Sequence, residues 1–310
     1  MPRFACLMQN NKLLKFFAIE SRESIIEKIW ILAALILGAS EPIIVKYSYS
    51  GGLGPYQFFI IRNIMGGIIL LPVLIYFHLK QPEQEKVVKP IIPIALLLMT
   101  TSLCTLLALK SLTAVTVLTV VTATPALVAI INEKLGRDIL GNKFWLGFWL
   151  CFTGIVLSMP FDNYSGDWLG TVAVLIAVFS SGFYRVKMDE ITRVHNSVYV
   201  SAVCFVVLAL GSLCFLPFIG KLSSYDIFYG VVVGICAALA NVAFIKSLSL
   251  VGATSISIIT MIQRPAFILI AALILHEVPT ILQFIGIALV VGGVNFAKVK
   301  RANVGISSTV

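Results

Sequence analysis

Charge is scarce in this chain. Only 12% of its 310 residues are Asp, Glu, Lys or Arg, while 59% are hydrophobic; soluble domains carry roughly twice that charge. Too few charges remain to cover a water-facing surface, which excludes a soluble domain of any size. Histidine is scarcer still, and His78, His195 and His276 are scattered among unrelated segments. With no His/Cys cluster and no positioned His–carboxylate pair, metal-dependent and nucleophilic chemistry have no place to assemble, so an enzyme is not expected and neither is a cofactor. The six cysteines include no Cys-x-x-Cys pair and read as small apolar packing residues. No Gly-x-x-x-x-Gly-Lys-Ser/Thr loop is present, so ATP does not act directly.

Long apolar runs fill the space that charge leaves. Ten runs are long enough to span a bilayer, at about 29–49, 56–78, 91–109, 113–132, 143–160, 168–187, 198–219, 226–247, 253–275 and 280–298. The expected fold is an all-α polytopic membrane protein with short connections. Residues 1–28 mix bases with Glu20, Glu23 and Glu27 and hold no short apolar core, so they read as a tail and not as a cleavable signal.

The net charge of +9 is a matter of topology rather than of a nucleic-acid partner. Lys and Arg concentrate in the N-terminal tail, in alternate loops and after the last run. Lys110 and Lys221 alone fall on the other side, while Lys46, Arg62 and Arg264 fall within runs. In this count Arg185, Lys187 and Arg193 follow the sixth run. The asymmetry places both termini in the cytoplasm.

The chain also echoes itself at a shift of 139 residues. Asp138 falls on Glu277, Gly147 on Gly286 and Gly154 on Gly293, in the strings DILGNKFWLGFWLCFTGIVL and EVPTILQFIGIALVVGGVNF. Ten spans then divide into five and five. An odd number forces the second half to enter the membrane with opposite orientation, the inverted repeat from which many transporters build a midplane site. The expected division is a tail at 1–28, repeats at 29–160 and 161–298, and a second tail at 299–310. Glycines 66, 67, 286, 292 and 293 are expected at close helix contacts.

Two stretches carry a resemblance to a known family. LGASEPIIVKYSYSGGLGPYQFFIIRNIMGG (37–67) and KSLSLVGATSISIITMIQRPAFILIAALILHEVPTILQFIGIALVVGGV (246–294) are similar to the first and last helices of the drug/metabolite transporter superfamily with two EamA-type repeats. Lys46 and Arg62 fall where that pattern has a Lys and a second-helix Arg. Glu41 and Arg264 depart from it, so these two residues are where this chain's own specificity is expected. The resemblance implies a multi-pass protein of a bacterial inner membrane, monomeric or homodimeric, that moves small organic solutes.

The polar residues at mid-depth are few. At about 1.5 Å per residue, Glu41 and Arg264 each lie roughly 17–18 Å from the inner face, and Arg62 sits slightly nearer the outer one. A cation at that depth costs about 2.5–3.5 kcal/mol on insertion scales, which demands a partner or a polar cavity. Glu41 and Arg264 therefore either clamp two helices or bind a ligand. Arg62 is the alternative partner for Glu41, and Gln263, Ser181 and Tyr184 complete the candidate site. Pro125 and Pro265 break helices and so shape a cavity. Two bases against one acid favour an anionic or zwitterionic solute, amino-acid-like or nucleotide-like, moved by alternating access. A coupling proton or a solute counter-gradient would supply the drive. Export of cationic drugs or toxic amphiphiles, a non-transporting sensor and an intramembrane enzyme are the competing readings.

Overall fold

The computed structural model describes residues 22–50, 54–80, 88–112, 117, 120–157, 168–219, 224–263, 281–297 and 299–301. Its helices, in chain order, are α1 (Arg22–Ser50), α2 (Pro55–Lys80), α3 (Val88–Ser111), α4 (Thr124–Lys134), α5 (Asn142–Leu157), α6 (Trp168–Thr192), α7 (Ser197–Ser212), α8 (Ser224–Val251), α9 (Ala253–Ile259) and α10 (Ile281–Phe296). Short 3₁₀ segments extend α7 through Phe218 and α9 through Ile262. The two-residue strands β1 (Asp138–Ile139) and β2 (Lys300–Arg301) pair antiparallel.

Five stretches are long and apolar enough to cross a membrane: Pro55–Lys80, Val88–Ser111, Trp168–Thr192, Ser197–Phe218 and Ile227–Val251. Several remaining helices are shorter and apolar. Side chains such as Ile36, Ile68, Ile75, Trp149, Leu210 and Phe284 point outward and are exposed, an apolar exterior suited to lipid rather than water. The largest buried cluster joins α3, α6, α7 and α8 through residues such as Ile91, Met188, Tyr199, Leu208 and Leu248.

Packing repeats the internal duplication. Counting five helices per repeat, α1 packs on α8 while α3 packs on α6; α2 packs on α8 while α3 packs on α7. Each pair is the exchanged counterpart of the other, as a pseudo-two-fold axis requires. Equivalent helices also meet directly, α2 on α7 and α5 on α10.

The α5–α10 contact shows the symmetry residue by residue. A Cβ on Gly147 would lie 2.5 Å from the Gly293 carbonyl oxygen, and one on Gly154 would lie 2.6 Å from that of Gly286. Each glycine thus meets the repeat counterpart of the other. Between them Cys151 Sγ donates to the Val290 carbonyl at 3.4 Å across the 139-residue interval. The axis passes beside this contact, and glycine is what lets the backbones approach. Gly66 and Gly67 likewise face Phe205 and Ala209 of α7. Gly292 does not follow the expectation of close packing: a Cβ there would meet open space, because its neighbour Gly293 is the residue turned toward α5.

Two links are set by local backbone chemistry. Gly252, at φ +89°, is the single residue between α8 and α9, a conformation that a side chain would strain. Gly136, at φ +67°, ends α4, with its N–H on the Glu133 carbonyl and that of Arg137 on Asn132, a hydrogen-bonded C-terminal cap. One sequence placement is corrected. The sixth run continues as helix through Thr192, so Arg185 lies inside α6, packed against other helices, and not in a loop.

Gly154→Leu drives a side chain into the α10 backbone and should cost about 1–3 kcal/mol. Gly292→Ala should stay within about 0.5 kcal/mol of the parent. Thermal unfolding of both variants in detergent measures the difference; equal loss at the two positions would count against the glycine contact.

Candidate functional site

Helices α1, α2 and α3 bring the first group of polar side chains together. Glu41 sits midway along α1, and its Oε1 accepts from Arg62 Nη2 of α2 at 2.7 Å. Arg62 Nη1 donates to Ser102 Oγ of α3 at 2.8 Å and makes a long 3.5 Å approach to Asn63 Oδ1. Glu41 therefore pairs with the helix-two arginine. The other threonines of α3 do not join this group: Thr100, Thr101 and Thr105 each bond a carbonyl of their own helix. Ser102 is the hydroxyl that reaches across. Arg62 Nε and Asn63 Nδ2 are buried without an acceptor, a costly condition for N–H donors in an apolar interior.

Gln263 links this group to the second repeat. It closes the 3₁₀ turn after α9, and its Nε2 donates to the Ala34 carbonyl of α1 at 3.1 Å. The amide rests against Gly38, one turn before Glu41, where a methyl group would collide with it. Arg264 and Pro265 lie outside the described residues, as does the Lys46 side chain.

Helix α6 contributes a second group. Ser181 and Tyr184 are both buried there. Tyr184 Oη accepts from Asn241 Nδ2 of α8 at 3.5 Å, and Asn241 Oδ1 accepts from Ser201 Oγ of α7 at 2.9 Å. Asn241 thus ties neighbouring helices together, the usual role of an amide in a membrane interior. Next to Tyr184, and on the same helical face as Ser181, stands Arg185. Its Nη1 donates to Ser257 Oγ of α9 at 3.0 Å and to Thr260 Oγ1 at 3.4 Å, and its guanidinium lies 5.1 Å above the Phe244 ring. Sequence reasoning missed Arg185 because it stands at the margin of an apolar window. The helical spacing from Ser181 was the signal that placed it on a polar face.

Pro125 stands in the first turn of α4, after a turn at Thr122–Ala123 that interrupts the preceding helix. The helix is broken where the proline predicts, since Pro supplies no N–H and leaves an upstream carbonyl unbonded.

A third polar group closes one end of the bundle. Asp138 is buried and accepts from Thr254 and Asn132. Arg137 pairs with Glu190 at 3.2 Å and Arg193 with Asp189 at 2.7 Å. The Asp138–Thr254 and Arg137–Glu190 contacts join the two repeats. Among the described residues no group of three or more His, Cys, Asp or Glu side chains is placed to hold a metal ion.

Helices with apolar exteriors, related in two sets of five by a pseudo-two-fold axis and polar at their contacts, define a multi-pass membrane protein of inverted-repeat design. The EamA-like transporter family model matches residues 25–159 and 168–297, one copy in each repeat; the chain belongs to that family of membrane transporters. No curated protein matches it. A solved structure titled only as the crystal structure of a protein is similar, with a TM-score of 0.73 and 17% identity over 87% of this chain and 96% of that one. At that identity the likeness shows a shared fold.

The Glu41–Arg62 contact predicts strong coupling. Removing one partner leaves the other charge buried and unanswered. A double-mutant cycle of Glu41→Gln and Arg62→Gln, read by thermal unfolding, should return a coupling energy of about 1–3 kcal/mol. Additive losses would show that the two side chains do not depend on each other.

Proposed function

We propose that this chain is a secondary transporter that moves a small anionic or zwitterionic organic metabolite, amino-acid-like or nucleotide-like, by alternating access. The observation that carries the proposal is the set of charged and hydrogen-bonding side chains held between apolar helices. Glu41, Arg62 and Ser102 contribute from one repeat, and Gln263, Tyr184 and Arg185 from the other. Charges in such a setting are costly, so function rather than stability is the default account of them. Arginine suits the solute class because its guanidinium can hold a carboxylate or phosphate through two parallel hydrogen bonds. Arg264, another cation of the same apolar stretch as Gln263, belongs to the proposed site.

The pseudo-two-fold relation supports the mechanism. Two repeats of opposite orientation can exchange conformations, so that a site between them opens first to one side and then to the other. Ten spans, cytoplasmic termini and a bacterial inner membrane complete the proposal. They rest on the lengths of the apolar runs and on the asymmetric distribution of Lys and Arg. On this arrangement the Asp138 and Arg137–Glu190 contacts lie at the cytoplasmic end and hold that side closed.

A thermal-stability screen of detergent-purified protein tests the solute class. A ligand present at a hundred times its dissociation constant adds about 2.7 kcal/mol to the folded state. Amino acids, organic acids or nucleotides should raise the unfolding temperature, and Arg62→Gln should reduce the shift. Stabilisation by quaternary amines alone would turn the account toward export of cations, and equal shifts in parent and variant would remove Arg62 from the site.

A further inference from the structure

Arg185 differs from Arg62, Arg137 and Arg193. Arg137 and Arg193 are answered by Glu190 and Asp189, and Arg62 is answered by Glu41. Among the described residues Arg185 meets two hydroxyls and an aromatic face, and no carboxylate. Only its Nη1 is engaged. Among the described residues its Nε and Nη2 have no acceptor, yet they are not among the buried polar atoms left without a partner, in contrast to Arg62 Nε. Half of the guanidinium fork of this partly buried side chain is therefore left without a partner among the described residues, and no carboxylate there compensates its charge.

The surroundings are arranged for an anion. Phe244 supports the guanidinium from one face and limits its freedom, as cation–π contacts do. Ser257 Oγ accepts from Arg185 and is fully buried, so it anchors the guanidinium from behind. Thr260 is already committed, donating to the Ser257 carbonyl. A planar oxyanion placed against Nε and Nη2 would gain two parallel charge-assisted hydrogen bonds. A halide or a water molecule uses this fork less fully.

We propose that Arg185, held in place by Ser257 and Phe244, binds an oxyanion, the carboxylate or phosphate of an organic solute, as a second polar station of the transport path. Resting on the transport proposal, this names the chemical group that the solute must carry. Thr260 precedes Gln263 by one turn, and Gln263 touches α1 one turn before Glu41. These contacts form a chain of side chains leading from Arg185 toward Glu41. An amino-acid-like zwitterion held by its acid at Arg185 keeps its amine next to that acid, so Glu41 is a separate station that such a solute reaches by moving along the path.

Four probes separate the charges: inorganic phosphate, 3-phenylpropionate, L-phenylalanine and phenethylamine. The last three share a ring and differ in carrying an acid, both groups or an amine. Each is titrated at constant ionic strength against the purified full chain, Arg185→Gln and Arg185→Lys, with thermal shift as the readout. At least one acid-bearing probe should stabilise the parent while phenethylamine does not, and whether phosphate or carboxylate acts identifies the headgroup. Losing a charge-assisted bidentate contact in Arg185→Gln should weaken that probe by about tenfold or more, with partial recovery in Arg185→Lys. If the glutamine variant fails to fold, the lysine variant decides, because the fork is lost while the charge remains and affinity must fall. No shift from any acid-bearing probe in the parent, or equal affinity in parent and variants, overturns the proposal. Binding is read here without flux, so such a failure leaves the transport proposal standing. Absent flux with intact anion binding strikes the transport proposal alone.

Discussion

A hydrocarbon environment offers no water, so every charge and every backbone amide in this chain must be answered by the protein itself. The Glu41–Arg62 contact is the clearest case: two ions that would each be costly alone sit 2.7 Å apart between α1 and α2, with Ser102 of α3 accepting a further hydrogen bond from the guanidinium. The same rule turns Thr100, Thr101 and Thr105 back onto their own helix. It also draws Asp138 to Thr254 and Asn132. Where the rule is satisfied the side chains act as clamps. Where it is left open among the described residues, as at Arg185, bonding capacity remains for the oxyanion proposed above.

Symmetry determines where these groups meet. Close contact between α5 and α10 depends on glycine at positions 147, 154, 286 and 293, with Cys151 and Val290 at the centre. Around that axis each long contact recurs with its partners exchanged, α1 on α8 and α3 on α6. The polar residues do not obey the symmetry. The first repeat contributes a paired acid and base, and the second contributes an unpaired base supported by an aromatic ring. A common scaffold with chemically unequal halves gives a solute two different ends to meet.

Much of this was legible in the amino-acid sequence. Apolar runs announced the helices because a bilayer fixes their length, and the 139-residue echo announced the duplication because the same helix contact demands glycine in both copies. Helix rotation was less legible. Depth counted along the chain put Arg62 and Arg264 at comparable distances from Glu41, but depth does not say which way a side chain faces. The Arg62 contact needed coordinates, and Arg264 lies outside the described residues. Arg185 was passed over because hydropathy treats a cation at the edge of an apolar run as the start of a loop, whereas α6 continues to Thr192. Gly292 and Gly293 could not be told apart by composition, since one helical step turns one toward α5 and the other away from it.

The central claim is vectorial movement of a solute, and counterflow in reconstituted vesicles tests it most directly. Vesicles loaded with an unlabelled amino acid that stabilises the purified protein are placed in a trace of the labelled compound. The account predicts transient accumulation of label above that of protein-free vesicles, without ATP and abolished when the internal amino acid is omitted. Binding of that amino acid with no accumulation above protein-free vesicles would contradict transport and leave a membrane receptor in its place.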